Sequence, residues 1–146
     1  MDTLTHALSG ALLVRATLTD GPAPQAPSRR ARLVAGALAA AFPDSDIVLR
    51  PIDTLMYLNL HQGVTHSLLM LPFWAWVLAH VFAMFDRNVS GWRGYYGVCA
   101  LGIGAHIAGD FITNYGVMLF APLSAWRVSV PTTFLIDVYF STIIII

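Results

Sequence analysis

The sequence predicts an all-α fold, a polytopic bundle of helices embedded in a membrane. Three observations carry that prediction. Of the 146 residues, 57% are hydrophobic and only 11% charged, with a mean hydropathy of +0.67, whereas a soluble domain carries about 25% charged residues. No formal charge occurs between Asp53 and Asp86. Residues 67–85 and 94–120 are apolar runs, and about 20 such residues cross a bilayer core as a helix.

Each element follows in order. Residues 3–18 read as a short helix capped by Asp2 or Thr3, with Leu4, Leu8 and Ala11 or Leu12 in one stripe. Its apolar content is marginal for spanning, so it is expected to lie at the interface or enter partway. Met1-Asp2 is acidic where a cleaved signal needs positive charge. Residues 19–28, with Gly21, Pro22, Pro24 and Pro27, predict an extended loop. Arg29, Arg30 and Arg32 lead into an Ala-rich helix over 33–42 that Pro43 ends. Residues 44–66 read as irregular or interfacial, with room for a short helix at 49–60.

Residues 67–85 form the first expected span. Residues 86–93 form a polar turn with Arg87, Asn88 and Arg93, and the glycine-rich stretch 94–120 forms the second span, terminated near Pro122. From Thr132 the chain turns apolar again and stops at residues 143–146. An end inside hydrocarbon predicts an incomplete C-terminus with further membrane segments beyond. No internal repeat is evident, so residues 1–146 read as one domain. The arginine clusters at 15–32 and 87–93 are expected to be cytoplasmic. Asp44, Asp46 and His66 then fall on the far side, in the bilayer half that His106 and Asp110 also reach.

The charge inventory narrows the chemistry. All eight bases are Arg and all eight acids are Asp. Without Lys or Glu there is no phosphate-binding Gly-Lys loop, no H-E-x-x-H zinc helix and no Schiff-base lysine. The balanced charge gives no basic surface for nucleic acid. The single cysteine, Cys99, excludes an intrachain disulfide and a C-x-x-C site; it reads as a small apolar residue.

Ionisable groups inside a membrane are expensive and usually pair, bind ions or line a cavity. His106 and Asp110 are four apart on one helix face, with Gly102, Gly109, Thr113 and Gly116 on or beside it. That pattern is half of a metal site, or a His–Asp hydrogen bond joining two helices. Asp44 and Asp46 follow Pro43 and suit either ligation or a turn. His61 and His66 stand at the mouth of the first apolar run; His66 reads as a ligand and His61 as an interfacial or supporting residue. His6 could join the group. These are nitrogen and oxygen donors that zinc accepts. Thr65, Ser67 and Thr113, with His61, are candidates to orient the ligands. His80 lies about four turns from His66 and reads as packing.

Four motifs in order carry a resemblance. Met1-Asp2-Thr3-Leu4-Thr5-His6, Phe42-Pro43-Asp44-x-Asp46, His61-x-Gly63-x-Thr65-His66-Ser67 and His106-x-x-x-Asp110-x-x-Thr113-x-x-Gly116 are similar to the bacterial YdjM-like family, over residues 1–131. The resemblance implies a helical, multi-pass protein of the bacterial inner membrane and metal-dependent hydrolysis. A more distant similarity to zinc-dependent phospholipase C and the P1-type nucleases implies the ligands His6, Asp44 or Asp46, His66, and His106 with Asp110. Gln62 stands where the family usually shows Arg, and the later H-x-x-x-E pair of the phospholipases is absent. One or two ions are therefore expected rather than three.

The expected function is hydrolysis of a phosphoester or lipid-like substrate by a water that a divalent metal, zinc first, activates. Asp44, Asp46, His66 and Asp110 are the candidate catalytic groups, and the lipid bilayer is the expected partner. The rival expectation is metal or proton transport through the same cluster. A third is a membrane subunit in which the polar residues only fix helix packing.

Overall fold

The computed structural model describes residues 2–17, 26–55, 57, 61–89, 91–132 and 142–143. Its elements run α1 (Thr3–Thr17), α2 (Arg29–Ala41), a 3-10 helix (Phe42–Leu49), a single 3-10 turn (Val64–His66), α3 (Leu71–Phe85) and α4 (Arg93–Phe111). One antiparallel bridge joins Val117 and Val128. The last residue of the expected first helix (18), much of the expected proline-rich loop (19–25), part of the expected short helix (56 and 58–60) and most of the C-terminal apolar stretch (133–141 and 144–146) lie outside the described residues.

Local chemistry sets the helix ends. Asp2 caps α1, its carboxylate accepting from the Thr5 main-chain N–H at 2.9 Å and the Thr5 hydroxyl at 2.5 Å. Ser28 caps α2 by accepting from the Ala31 N–H at 3.1 Å, so the arginines lie within the helix rather than before it. Pro43 does not stop the chain from coiling. The backbone tightens into the 3-10 helix with Pro43 in its first turn, where the missing N–H is not required.

The expected membrane spans are both cut short. Ser67 is extended, and its hydroxyl donates to the carbonyls of Leu119 at 3.0 Å and Ala121 at 2.7 Å. α3 therefore starts at Leu71, with Pro72 in its first turn. α4 stops at Phe111 because Gly116 takes a left-handed φ of 79° and the chain turns back to form the Val117–Val128 bridge. At about 1.5 Å per residue, the 15 residues of α3 cover about 22 Å, short of a core about 30 Å thick. The 19-residue α4 is longer but carries Arg93, His106 and Asp110. No helix among the described residues is long and apolar enough to cross a membrane. That finding overturns the expected polytopic, multi-pass bundle, and the expected sidedness falls with it.

α4 is the central element, packed by α1, α2 and α3, and α1 lies along α2. The interior is built from small side chains. Val14, Ala35, Ala39, Ala75, Ala79, Cys99 and Ile103 are all buried. α3 turns Ala75 and Ala79 inward and leaves Met84 and Phe85 at 80% and 83% exposure, with Phe73, Trp76 and Val81 also exposed. Large residues outside and alanines inside invert the usual pattern, and such an apolar face marks contact with something other than water.

Candidate metal centre

Three glycines bring the helices close enough to build the site. A Cβ on Gly10 would fall on Ala40 Cβ, one on Gly36 would lie 2.6 Å from Val14 Cγ2, and one on Gly102 would lie 2.7 Å from the Gly36 carbonyl oxygen. Each glycine is one turn away in sequence from a group at the site: Gly10 from His6, Gly36 from Ala40, Gly102 from His106. One turn beyond the crossing, the His6 ring stacks on His106 with centroids 3.6 Å apart. There, too, His106 Nδ1 sits 2.6 Å from the Ala40 carbonyl oxygen. A carbonyl only accepts, so Nδ1 carries the hydrogen, and in the neutral ring the lone pair lies on Nε2.

That Nε2 and the Nε2 of His66 are both buried with no hydrogen-bond partner. Each faces the same two carboxylate oxygens. His66 Nε2 is 3.7 Å from Asp44 Oδ1 and 3.5 Å from Asp110 Oδ2; His106 Nε2 is 3.6 Å and 3.3 Å from those atoms. Ligands about 2.0–2.2 Å from a tetrahedral ion are separated by about 1.6 times that radius, or about 3.3–3.6 Å. The four separations match tetrahedron edges better than hydrogen bonds. Four ligand atoms, one from each of Asp44, His66, His106 and Asp110, lie within 4.8 Å of one another. Two carboxylates and two imidazoles suit a divalent cation in charge and donor type. The structure therefore contains a His/Asp group that could bind a metal.

The protonation states favour ligation. Burial pushes the Asp44 carboxyl up, but the adjacent His66 and His106 rings and the Thr3 hydroxyl outweigh burial and hold it at about 2. For Asp110 burial is likewise outweighed, by the adjacent His106 ring and the contact with His6, and the carboxyl is held well below the usual range. Burial lowers the pKa of His66 and of His6. Ionised carboxylates and neutral imidazoles are the forms a metal requires.

Each of the four donors has an outer partner. The Thr3 hydroxyl donates to Asp44 Oδ2 at 2.6 Å, and the Thr65 hydroxyl lies 3.0 Å from His66 Nδ1. His106 has Ala40. Asp110 has two partners, His6 Nε2 at 3.1 Å from Oδ1 and Gln62 Nε2 donating to Oδ2 at 3.0 Å. Such contacts fix ligand orientation and basicity.

The other expected residues take different places. His6 meets Asp110 rather than joining the four donors. Asp46 turns both oxygens to His61 Nδ1, at 3.0 and 3.1 Å. Two residues apart on a 3-10 helix of three residues per turn, Asp44 and Asp46 cannot point the same way; Asp44 takes the centre. Ser67 and Thr113 were expected to orient ligands. Instead Ser67 holds the turn described above, and Thr113 donates to the Asp110 main-chain carbonyl at 2.8 Å. His80 is near the Trp76 carbonyl and stacks on Trp92.

Three contributors were not read from the sequence as site groups. Thr3 lies inside the N-terminal motif, so its position was the available signal. Gln62 sits beside His61 with φ 56° and 2% exposure. The Ala40 carbonyl is main chain and leaves no trace in side-chain chemistry.

Comparison with known proteins agrees with the YdjM family resemblance. The chain is 26% identical over 125 residues to the uncharacterized protein YfhP of Bacillus subtilis (strain 168), an alignment covering 85% of this chain. It spans only 38% of that relative's length. No solved structure matches the chain. The family described as YdjM inner membrane protein matches residues 1–146. The helices that gather Asp44, His66, His106 and Asp110 are thus those of a chain that belongs to the YdjM inner membrane protein family.

Proposed function

We propose that this chain is a membrane-associated, metal-dependent hydrolase acting on a phosphoester or lipid-like substrate, with zinc as the preferred ion. One observation carries the reading. Two buried imidazole nitrogens without hydrogen-bond partners face two carboxylate oxygens at 3.3–3.7 Å, an arrangement that a cation among them would satisfy. The ion would supply a Lewis acid and lower the pKa of a water enough to ionise near neutral pH.

The chain's own residues would do the rest. His66, His106 and Asp110 are sealed from solvent, while the Asp44 side chain is 17% exposed, so the centre is approached from the Asp44 side. The Asp46–His61 pair stands beside it, the His61 ring 5.7 Å from His66, and is placed to move a proton. Arg127 donates to the His61 carbonyl at 2.9 Å and lies over the Tyr115 ring. Its fixed positive charge near that pair favours an anionic substrate such as a phosphoester. The exposed apolar side of α3 and the family's inner-membrane character favour a substrate or setting rich in lipid.

The test is bound metal and turnover in detergent, for the wild type and for His106→Ala and Asp110→Ala. Hydrolysis of a phosphodiester or phospholipid, lost in both variants and on chelation, is the expected result. Metal-dependent ion flux in sealed vesicles without turnover would assign the same residues to transport and overturn it.

A further inference from the structure

We propose that Gln62 is a positioning residue of the metal centre, with its amide nitrogen fixing Asp110 and its amide oxygen held ready to accept a hydrogen bond from the water or substrate hydroxyl that enters. The inference rests on the metal reading above. Three unfavourable features coincide at this residue. Its backbone is left-handed at φ 56°, a conformation uncommon outside glycine, asparagine and aspartate. Its side chain is 2% exposed. Its Oε1 is buried without a hydrogen-bond partner, which native interiors rarely tolerate.

The neighbourhood explains how these costs are held in place. The Gln62 carbonyl accepts from the Met118 N–H at 3.0 Å, and the His61 carbonyl accepts from Arg127. The 112–132 segment therefore pins the turn on both sides and leaves the side chain directed inward. Nε2 donates to Asp110 Oδ2 at 3.0 Å, the same oxygen that faces both histidines. The two amide heteroatoms are about 2.3 Å apart, so the orphan Oε1 lies within about 5.3 Å of that oxygen. A turn needing only a left-handed residue would be served better by glycine. An amide with one arm on a ligand and the other unsatisfied is suited to a ligand's second contact.

The experiment uses the whole chain and compares the wild type with Gln62→Met and Gln62→Gly. Zn²⁺ affinity is measured by competition, and the Co²⁺-loaded absorption spectrum reports the geometry of the centre. Gln62→Met keeps the volume and removes both arms; Gln62→Gly suits the backbone and shows whether a folded variant without the side chain behaves alike. Both should bind Zn²⁺ about 10–100-fold more weakly and shift the Co²⁺ bands. Gln62→Met removes the acceptor without adding charge, so the water relaxivity of its Mn²⁺-loaded form should differ from wild type. Wild-type affinity and Co²⁺ spectrum in Gln62→Met or Gln62→Gly would overturn the positioning role alone. Wild-type relaxivity in Gln62→Met would overturn the acceptor role. A wild-type chain that binds none of these ions would overturn the metal reading with it.

Discussion

His6 Nε2 lies 3.1 Å from Asp110 Oδ1, across 104 residues of chain, and its ring stacks on His106. One residue of α1 thus braces both α4 donors without being one of the four grouped donors. His6→Ala should weaken metal binding by about 10–100-fold, as losses of outer contacts do, whereas His106→Ala should abolish it. Equilibrium dialysis of both variants checks the ranking.

The two neighbouring aspartates separate just as sharply. Asp44 Oδ1 belongs to the four-donor group, and Asp46 is turned to His61. Asp44→Asn should lower metal affinity by at least about 100-fold, and Asp46→Asn by less than about 10-fold. Parallel competition titrations with a chelating dye would show it, and equal losses would be inconsistent with the geometry.

The glycine crossing predicts opposite effects for one substitution at two positions of α4. A Cβ on Gly102 meets the Gly36 carbonyl oxygen at 2.7 Å and Ala39 Cβ at 2.9 Å, while one on Gly97 meets nothing within 4 Å. Gly102→Ala should destabilise by about 1–3 kcal/mol through overpacking and loosen metal binding. Gly97→Ala should stabilise by about 0.5–1 kcal/mol through helix propensity alone. Denaturation midpoints in detergent measure both.

The chelator-treated protein should lose stability in acid in two stages. Burial holds the folded pKa of His6 and His66 below the ordinary 6.5. Their stabilisation is fully present above pH 6.5 and is lost as pH falls from there through the lower folded values. Asp44 is lowered from 3.8 to about 2, so its contribution is present above pH 3.8 and is lost as pH falls through about 2. Thermal midpoints between pH 8 and pH 5 should decline; a flat profile over that interval would exclude the first stage.

The sequence made the ligand types legible because chemistry at fixed spacing survives without coordinates. The His106–Asp110 face needs only helical periodicity, and His66 needs only its position at the mouth of the first apolar run. The choice of Asp44 over Asp46 was not legible, because it depends on a 3-10 helix where a simple stop at Pro43 was expected. Ser67 and Thr113 were read as ligand supports because hydroxyls near ligands usually are; here main-chain carbonyls of Leu119, Ala121 and Asp110 take them instead. The two expected spans failed for a related reason. Hydropathy registers an apolar run but not that Ser67 and Gly116 bend it, and the return of residues 117–128 is a tertiary event with no local periodicity.

X-ray absorption at the zinc edge of the loaded protein tests the central claim most directly. Imidazole nitrogen and carboxylate oxygen at about 2.0–2.2 Å, with scattering from two histidine rings, is the result expected from His66, His106, Asp44 and Asp110. Failure to retain zinc, or a bound zinc whose spectrum lacks imidazole scattering and does not change in His106→Ala, would contradict it.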